Sequence, residues 1–273
     1  MKYKKSIIGI FAFAIIISCA TNPFTGKSTL ALVPNSEILP SAFQQYGQFL
    51  SENKVITGTA DAKRVENVGT KIKVAAERWL AANGKTGYLD GYAWEYKLVE
   101  SKDVNAWCMP GGKIVVYSGI LPITKDDAGL ATVLGHEVSH ALSNHGQQRM
   151  SAGILQQLGG AAVAIGTGGK SAETQQLAMT AYGAATQYGG MLPFSRQHES
   201  EADQIGLLLM AIAGYNPDQA VVFWTRMASN PGAGNKPPEF MSTHPSDATR
   251  IANIKALIPQ VKVEAAKFGV VFK

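Results

Sequence analysis

Within His136-Glu137-Val138-Ser139-His140, two imidazoles stand four residues apart with a carboxylate next to the first. On a helix, positions four apart lie one above the other, so both rings can reach a single ion, and zinc is an ion held in this way. Glu137 is the right type of group to take a proton from a water activated by that ion. A five-residue match also arises by chance on solvated helices. Here it falls inside an amphipathic stretch with apolar positions at Leu130, Val133, Leu134, Val138, Ala141 and Leu142, and the polar trio runs along one edge. That context argues for a functional motif.

Two histidines leave a tetrahedral zinc one protein ligand short, because a catalytic site keeps a position for water. The candidates are His145, His198, His244 and the downstream acids. His145 follows closely, but its offset from His140 turns it off the shared face. Glu199 and Asp203 stand one helical turn apart; the first can ligate, and the second can accept the remaining N–H of a ligating histidine. Acids also favour the first turn of any helix, and Glu201 competes with Glu199. Spacing alone leaves these readings open.

The segments HEVSH, SRQHESEAD and Ser242-Thr243-His244-Pro245 together resemble the gluzincin peptidase family that contains the HtpX heat-shock protease, the type I CAAX prenyl proteases and the envelope proteases BepA and LoiP. The likeness runs from about Asp103 to Ile251 and takes in Asn105-Ala106-Trp107-Cys108-Met109-Pro110-Gly111-Gly112. The family's second motif is ExxxD. The resemblance therefore implies His136, His140 and Glu199 as ligands of one Zn2+ per chain, with Asp203 supporting a ligand histidine. Glu201 would need an aspartate where Ile205 stands. The resemblance also implies that His244 and Arg250 lie near the metal. There, Arg250 would stabilise the oxyanion of a tetrahedral intermediate and His244 could hydrogen-bond it. In BepA-like relatives the corresponding histidine can bind the metal and block the water position, which makes His244 a candidate brake as well. Neither the tetratricopeptide repeats of BepA nor the membrane helices of HtpX are evident, and the start of the chain is most similar to the LoiP branch.

The activity implied is zinc-dependent hydrolysis of peptide bonds, with Glu137 passing a proton from water to the leaving amine. Lys113-Ile114-Val115-Val116-Tyr117 reads as a strand that, at a cleft edge, would pair with the backbone of an extended substrate. Such pairing favours unfolded or disordered polypeptides and reads few side chains. A chaperone-like lipoprotein with a purely structural zinc is the alternative from another class, but such a site has no need of Glu137. Hydrolysis of a cell-wall amide is disfavoured by the strand and by the resemblance.

These groups need elements to hold them. Apolar spacing predicts helices over Ser36 to Glu52 and Ala60 to Ala82, the second stopped by Asn83-Gly84. Ala93 to Val99 alternates as a half-buried strand, and Pro110-Gly111-Gly112 introduces the strand Lys113 to Tyr117. Helices follow over Ala128 to Gln148, Ile154 to Ile165, Ala172 to Tyr188, Arg196 to Ala213 and Pro217 to Ala228. A Pro- and Gly-rich loop, Asn230 to Pro238, leads to a terminal helix from about Ser246. Ile154 to Ile165 is short and interrupted by polar and glycine residues, so it reads as a packed helix or active-site cover rather than a membrane span. The expected fold is α+β, mainly helical, a zincin-like domain over 35–273 with a small β-sheet.

The 273 residues are 46% hydrophobic and 16% charged, ample for one substantial core. Met1 to Ala20 reads as an export signal, with Lys2, Lys4 and Lys5 ahead of the apolar stretch Ile7 to Ile17. Ile16-Ile17-Ser18-Cys19 resembles a bacterial lipobox, so 1–18 is expected to be removed and Cys19 lipidated, with 19–34 as tether. Ala20 after that cysteine favours the outer over the inner membrane, facing the periplasm. Without the three leader lysines, 22 basic residues oppose 20 acidic ones. No basic stripe with interleaved aromatics remains, which removes support for nucleic-acid binding. With Cys19 acylated, Cys108 has no disulfide partner and is expected to be buried.

Overall fold

A computed structural model describes residues 19–230, 238–245 and 247–272. Residues 1–18, expected as an export signal, and residues 231–237, Ser246 and Lys273 lie outside them. The first half of the chain gives β1 (Cys19–Thr21), β2 (Ser28–Leu30), α1 (Asn35–Glu52), β3 (Val55–Ile56), α2 (Ala60–Ala82), β4 (Glu95–Val99), β5 (Ala106–Met109) and β6 (Lys113–Tyr117). Then come α3 (Leu121–Thr124), α4 (Asp127–Leu142), α5 (His145–Thr167), α6 (Ala172–Thr186), α7 (Leu192–Ile212), α8 (Asp218–Ala228), α9 (Glu239–Thr243) and α10 (Ala248–Ala266). The architecture is α+β and mainly helical. These residues gather into two compact units, 39–143 with 199–272 and 19–38 with 144–198.

In the first of these units, α2 forms as its spacing predicts. Thr59 caps it by accepting from Ala62 N at 3.1 Å, and Val65, Val68, Ile72 and Ala76 are fully buried. It packs on α4 and β4. The sheet runs β3-β4-β6-β5, with β4 and β6 parallel and the other pairs antiparallel. This corrects the substrate-strand expectation. Lys113, Ile114, Val115, Val116 and Tyr117 lie on an interior strand with neighbours on both sides, so its ladder groups are already spent. The edge strands are β3 and β5, of two and four residues, too few to stand out in sequence. Gly111 and Gly112 make the β5–β6 turn at φ 82° and 81°, values only glycine reaches without strain.

Helix α4 is the centre of this unit. Asp126 caps it by accepting from Gly129 N at 2.8 Å, and every residue from Gly129 to Leu142 is buried. At its other end the hydroxyls of Tyr88 and Tyr92 donate to the carbonyls of Leu142 and Ala141, at 2.6 and 3.1 Å. The helix expected over Ala128 to Gln148 breaks here, because Asn144 takes a left-handed φ of 54°.

In the other unit, 19–34, the expected lipidated tether, carries two short strands. Strands β1 and β2 pair antiparallel, with Cys19 opposite Leu30. Leu32 N donates to Ser151 Oγ at 3.0 Å and Gln147 Nε2 to Val33 O at 2.6 Å, which satisfies the backbone on the flank of α5. Helices α5 and α6 form a hairpin tied by Tyr182 Oη donating to Gln156 O at 2.7 Å. Of the two readings of Ile154 to Ile165, packed helix or active-site cover, the first does not hold within this unit, since α5 keeps Leu158 49% and Ile165 82% exposed. No described helix is long and apolar enough to cross a membrane.

Candidate metal centre

Helix α4 brings His136 and His140 to one face, α7 contributes Glu199, and the turn ending α9 contributes His244. One donor atom from each lies within 4.8 Å of the others. His136 Nε2 is 3.1 Å from His140 Nε2, 3.2 Å from Glu199 Oε2 and 3.1 Å from His244 Nδ1. His140 Nε2 is 3.3 Å from Glu199 Oε1, and His244 Nδ1 is 2.8 Å from Glu199 Oε2. A tetrahedral zinc with ligands at ~2.0–2.1 Å separates its donors by about 3.3–3.4 Å. The spacings fit that ion, as does the mix of imidazole nitrogen and carboxylate oxygen. The histidines are buried, and Glu199 is only 12% exposed.

A close contact between two glycines sets the distance between α4 and α7. A Cβ on Gly206 would stand 2.8 Å from His136 N, and one on Gly135 would stand 2.8 Å from Gly206 O. Both obstacles are backbone, so no side chain can swing aside. Gly206→Ala is therefore expected to destabilise by about 1–3 kcal/mol through overpacking and to lower zinc occupancy with it. Thermal melting and metal analysis of the purified variant check this. A variant equal to the parent in both would show that this crossing is not what fixes the ligands.

Around His136 lies an orienting set. Asp203 Oδ1 sits 3.0 Å from His136 Nδ1, and Arg250 holds Asp203 with both ends of its fork, Nε to Oδ2 at 2.8 Å and Nη2 to Oδ1 at 2.7 Å. Arg250 Nη1 donates to Pro245 O at 2.9 Å, and the guanidinium lies 3.6 Å from the centre of the Trp224 ring. Arg250 thus reaches the site chiefly through Asp203, although Nη2 also comes within 3.6 Å of Glu199 Oε2. Glu137 is buried, with Oε1 3.3 Å from His244 Nε2. Glu201 is buried too but stands outside the cluster of four, as do His145 and His198, whose rings stack on each other at 4.0 Å. Cys108 is partly exposed rather than buried. The packing around its sulfur, with the Glu137 carboxylate, pushes the thiol well above its ordinary pKa.

Burial pulls the His136 pKa down, but the carboxylates of Asp203 and Glu199 outweigh it and hold the ring at about 9. Burial drives His140 well below its ordinary value, and the charge on His136 adds to this. Burial opposes ionisation of Glu199, yet the three imidazoles hold it far below the usual carboxylate range. Asp203 is lowered likewise, burial being outweighed by Arg250 and His136. Two buried carboxylates kept ionised demand positive charge. A divalent cation among His136, His140 and Glu199 would supply it, the imidazoles binding in their neutral form.

Sequence reasoning did not find Trp224 and Phe240, whose rings stand edge-on to His136 with centroids 5.8 and 6.4 Å away. It also missed the Gly135–Gly206 crossing. Glycines one residue before the first histidine and three after Asp203 were visible, but their facing could not be read without the fold.

A histidine pair on a buried helix, completed by a carboxylate from a second helix, defines a zincin-type metallopeptidase centre. Residues 67–258 match Peptidase family M48, and the chain belongs to that family, whose metallopeptidases are zinc-dependent. The mitochondrial metalloendopeptidase OMA1 of Saccharomyces cerevisiae is 35% identical over 205 residues, covering 72% of this chain and 56% of that protein. The human mitochondrial metalloendopeptidase OMA1 is 27% identical over 270 residues, covering 94% and 50% respectively. The β-barrel assembly-enhancing protease of Escherichia coli K12 is 27% identical over 176 residues, covering 62% and 35%. The chain spans about half the length of the OMA1 relatives it matches.

Proposed function

We propose that this chain is a zinc-dependent endopeptidase that cleaves unfolded or misassembled proteins of a bacterial cell envelope, held at the membrane by lipid on Cys19. The observation that carries the reading is Glu137, a buried carboxylate beside a four-donor cluster of which it is not part. Zinc held by His136, His140 and Glu199 would polarise a peptide carbonyl and acidify water. Glu137 then acts as general base and returns the proton to the leaving amine. Asp203 accepts Nδ1–H of His136 and so keeps Nε2 free to ligate, while Arg250 keeps Asp203 ionised and fixed. Arg250 is in this reading a positioning residue before it is an oxyanion donor.

His244 has two roles. Its Nδ1 lies among the four convergent donors, which supports a resting arrangement in which His244 guards the water position. Swung away from the metal, it becomes a hydrogen-bond donor to the reacting oxygen. The edge strand Ala106–Met109, not the interior strand, offers the free ladder for an extended substrate. Backbone pairing needs an unfolded chain, which supports quality control over processing at one defined sequence. The bacterial relative named for β-barrel assembly supports an envelope substrate, and the lipobox-like Ile16-Ile17-Ser18-Cys19 supports the anchor and a periplasmic, outer-membrane location.

One preparation tests the reading. Full-length protein extracted from membranes should degrade an unfolded protein such as reduced casein, stop when chelated, and recover with zinc. Mass spectrometry of the same sample should find an acylated Cys19 at its start. Casein bound but never cut would point to a chaperone, and a mature start elsewhere would remove the anchor.

A further inference from the structure

The hairpin of α5 and α6 is built almost without charge. Between Arg149 and Lys170, and again between Glu173 and Arg196, no Asp, Glu, Lys, Arg or His occurs. Among the described residues, eight of the twelve exposed large apolar side chains lie between Met150 and Tyr188, and of these eight Ile165 at 82% and Tyr188 at 73% are the most open. Helix α6 has no buried residue. Single apolar side chains at a surface are ordinary, but this concentration on one element marks a contact surface.

The polar side chains of this hairpin suit an apolar surround. Thr167, Thr180 and Thr186 turn their hydroxyls back onto helix carbonyls, donating to Val163 O at 2.8 Å, Gln176 O at 2.8 Å and Tyr182 O at 2.9 Å. Gln156 Nε2 donates to Thr186 Oγ1 at 3.0 Å, and the Tyr182 hydroxyl is spent on Gln156 O. Water would satisfy such groups unaided; lipid would not, and polar groups there must be paired internally. The helices meet through a small residue, since a Cβ on Gly159 would come within 2.2 Å of the Tyr182 oxygen. Close approach at small residues is how helices pack when hydrocarbon surrounds them. Arg149, Lys170, Glu173 and Arg196 bound the uncharged stretches, and the three long cationic side chains can reach phosphate headgroups.

We infer that the α5–α6 hairpin lies in the interface of a phospholipid bilayer, with its apolar side chains among acyl chains and its flanking cations at headgroup level. This is a membrane contact separate from any acyl group on Cys19. The cations at the ends of the uncharged stretches suit phosphate headgroups, which favours lipid over a second copy or an unfolded polypeptide as the occupant.

Photocrosslinking distinguishes these occupants. The photoreactive residue benzoylphenylalanine replaces Ile165 or Leu177 in the full chain, with Val263, a 66% exposed position on α10, as control. Each protein is reconstituted into vesicles of phosphatidylethanolamine and phosphatidylglycerol and irradiated, with and without reduced casein. Ile165 and Leu177 should yield phospholipid adducts by mass, several-fold above Val263. Leu155→Glu with Leu158→Glu should bring them down to the Val263 level, with zinc content unchanged as the check on folding. Adducts to a second copy or to casein in place of lipid would overturn the inference, as would lipid adducts equal at Val263 or unmoved by the glutamates. Proteolysis is not the readout, so failure here is distinct from failure of the proposed activity.

Discussion

Glu137→Gln is expected to keep its zinc and to lose peptide-bond hydrolysis by at least ~10²-fold, the effect typical of a removed general base. Glutamine matches glutamate in shape and can still hydrogen-bond His244, whose Nε2 lies 3.3 Å from Glu137 Oε1. The buried site should therefore stay in place. What the amide lacks is the capacity to take a proton. Since Glu137 is not among the four convergent donors, metal content should match the parent. Metal analysis and casein cleavage on one preparation test both halves. Unchanged turnover would remove Glu137 from the mechanism, and lost zinc would make it a ligand.

Glu199→Ala is expected to lose zinc and activity together. Its two oxygens span the cluster, Oε1 to His140 and Oε2 to His136 and His244, and it is the only carboxylate among the donors. Without it three imidazoles must hold a dication with no anionic ligand, and His244 loses its 2.8 Å partner. Asp203→Ala leaves the ligands intact and removes only the orientation of His136, a change that typically costs about 10–100-fold in metal affinity or activity. Glu201→Ala should keep its zinc, because Glu201 stands outside the cluster. Zinc titration of the three variants gives the order. If Glu201→Ala lost the metal and Glu199→Ala kept it, the motif would be in the wrong register.

What the sequence made legible follows from how far each signal reaches along the chain. Helix α2 could be read to its ends because cap, apolar stripe and stop are all local. Both histidines of α4 were legible for the same reason. Between Glu199 and Glu201 local spacing was silent, since either acid suits a helix; only the ExxxD likeness chose, and it chose the acid that joins the cluster. The error over the substrate strand is instructive. Ile114, Val115 and Val116 made the segment conspicuous as a strand, but a continuous apolar run is what a strand covered on both faces carries. The property that identified it as a strand also argued against an edge. The hairpin misled differently. The shortness and the polar and glycine interruptions of Ile154 to Ile165 speak against a membrane span and for a packed helix or active-site cover, but nothing local shows how far its apolar residues stay exposed among the described residues.

The two tyrosine hydroxyls on the last turn of α4 bear on time rather than affinity. The final carbonyls of a helix have no partner within it, and that turn is the first to fray. Here it follows directly on His140, and its carbonyls at Ala141 and Leu142 are taken by phenols 49 and 54 residues upstream. For the ion to leave, His140 must swing off, and opening of its turn breaks both bonds at once. The loop between α2 and β4, which carries no ligand, is therefore expected to slow loss of a bound metal. Changes at Tyr88 or Tyr92 would register as faster amide exchange over Ser139 to Leu142 and quicker loss of zinc to a chelator, while the ligand set stayed whole.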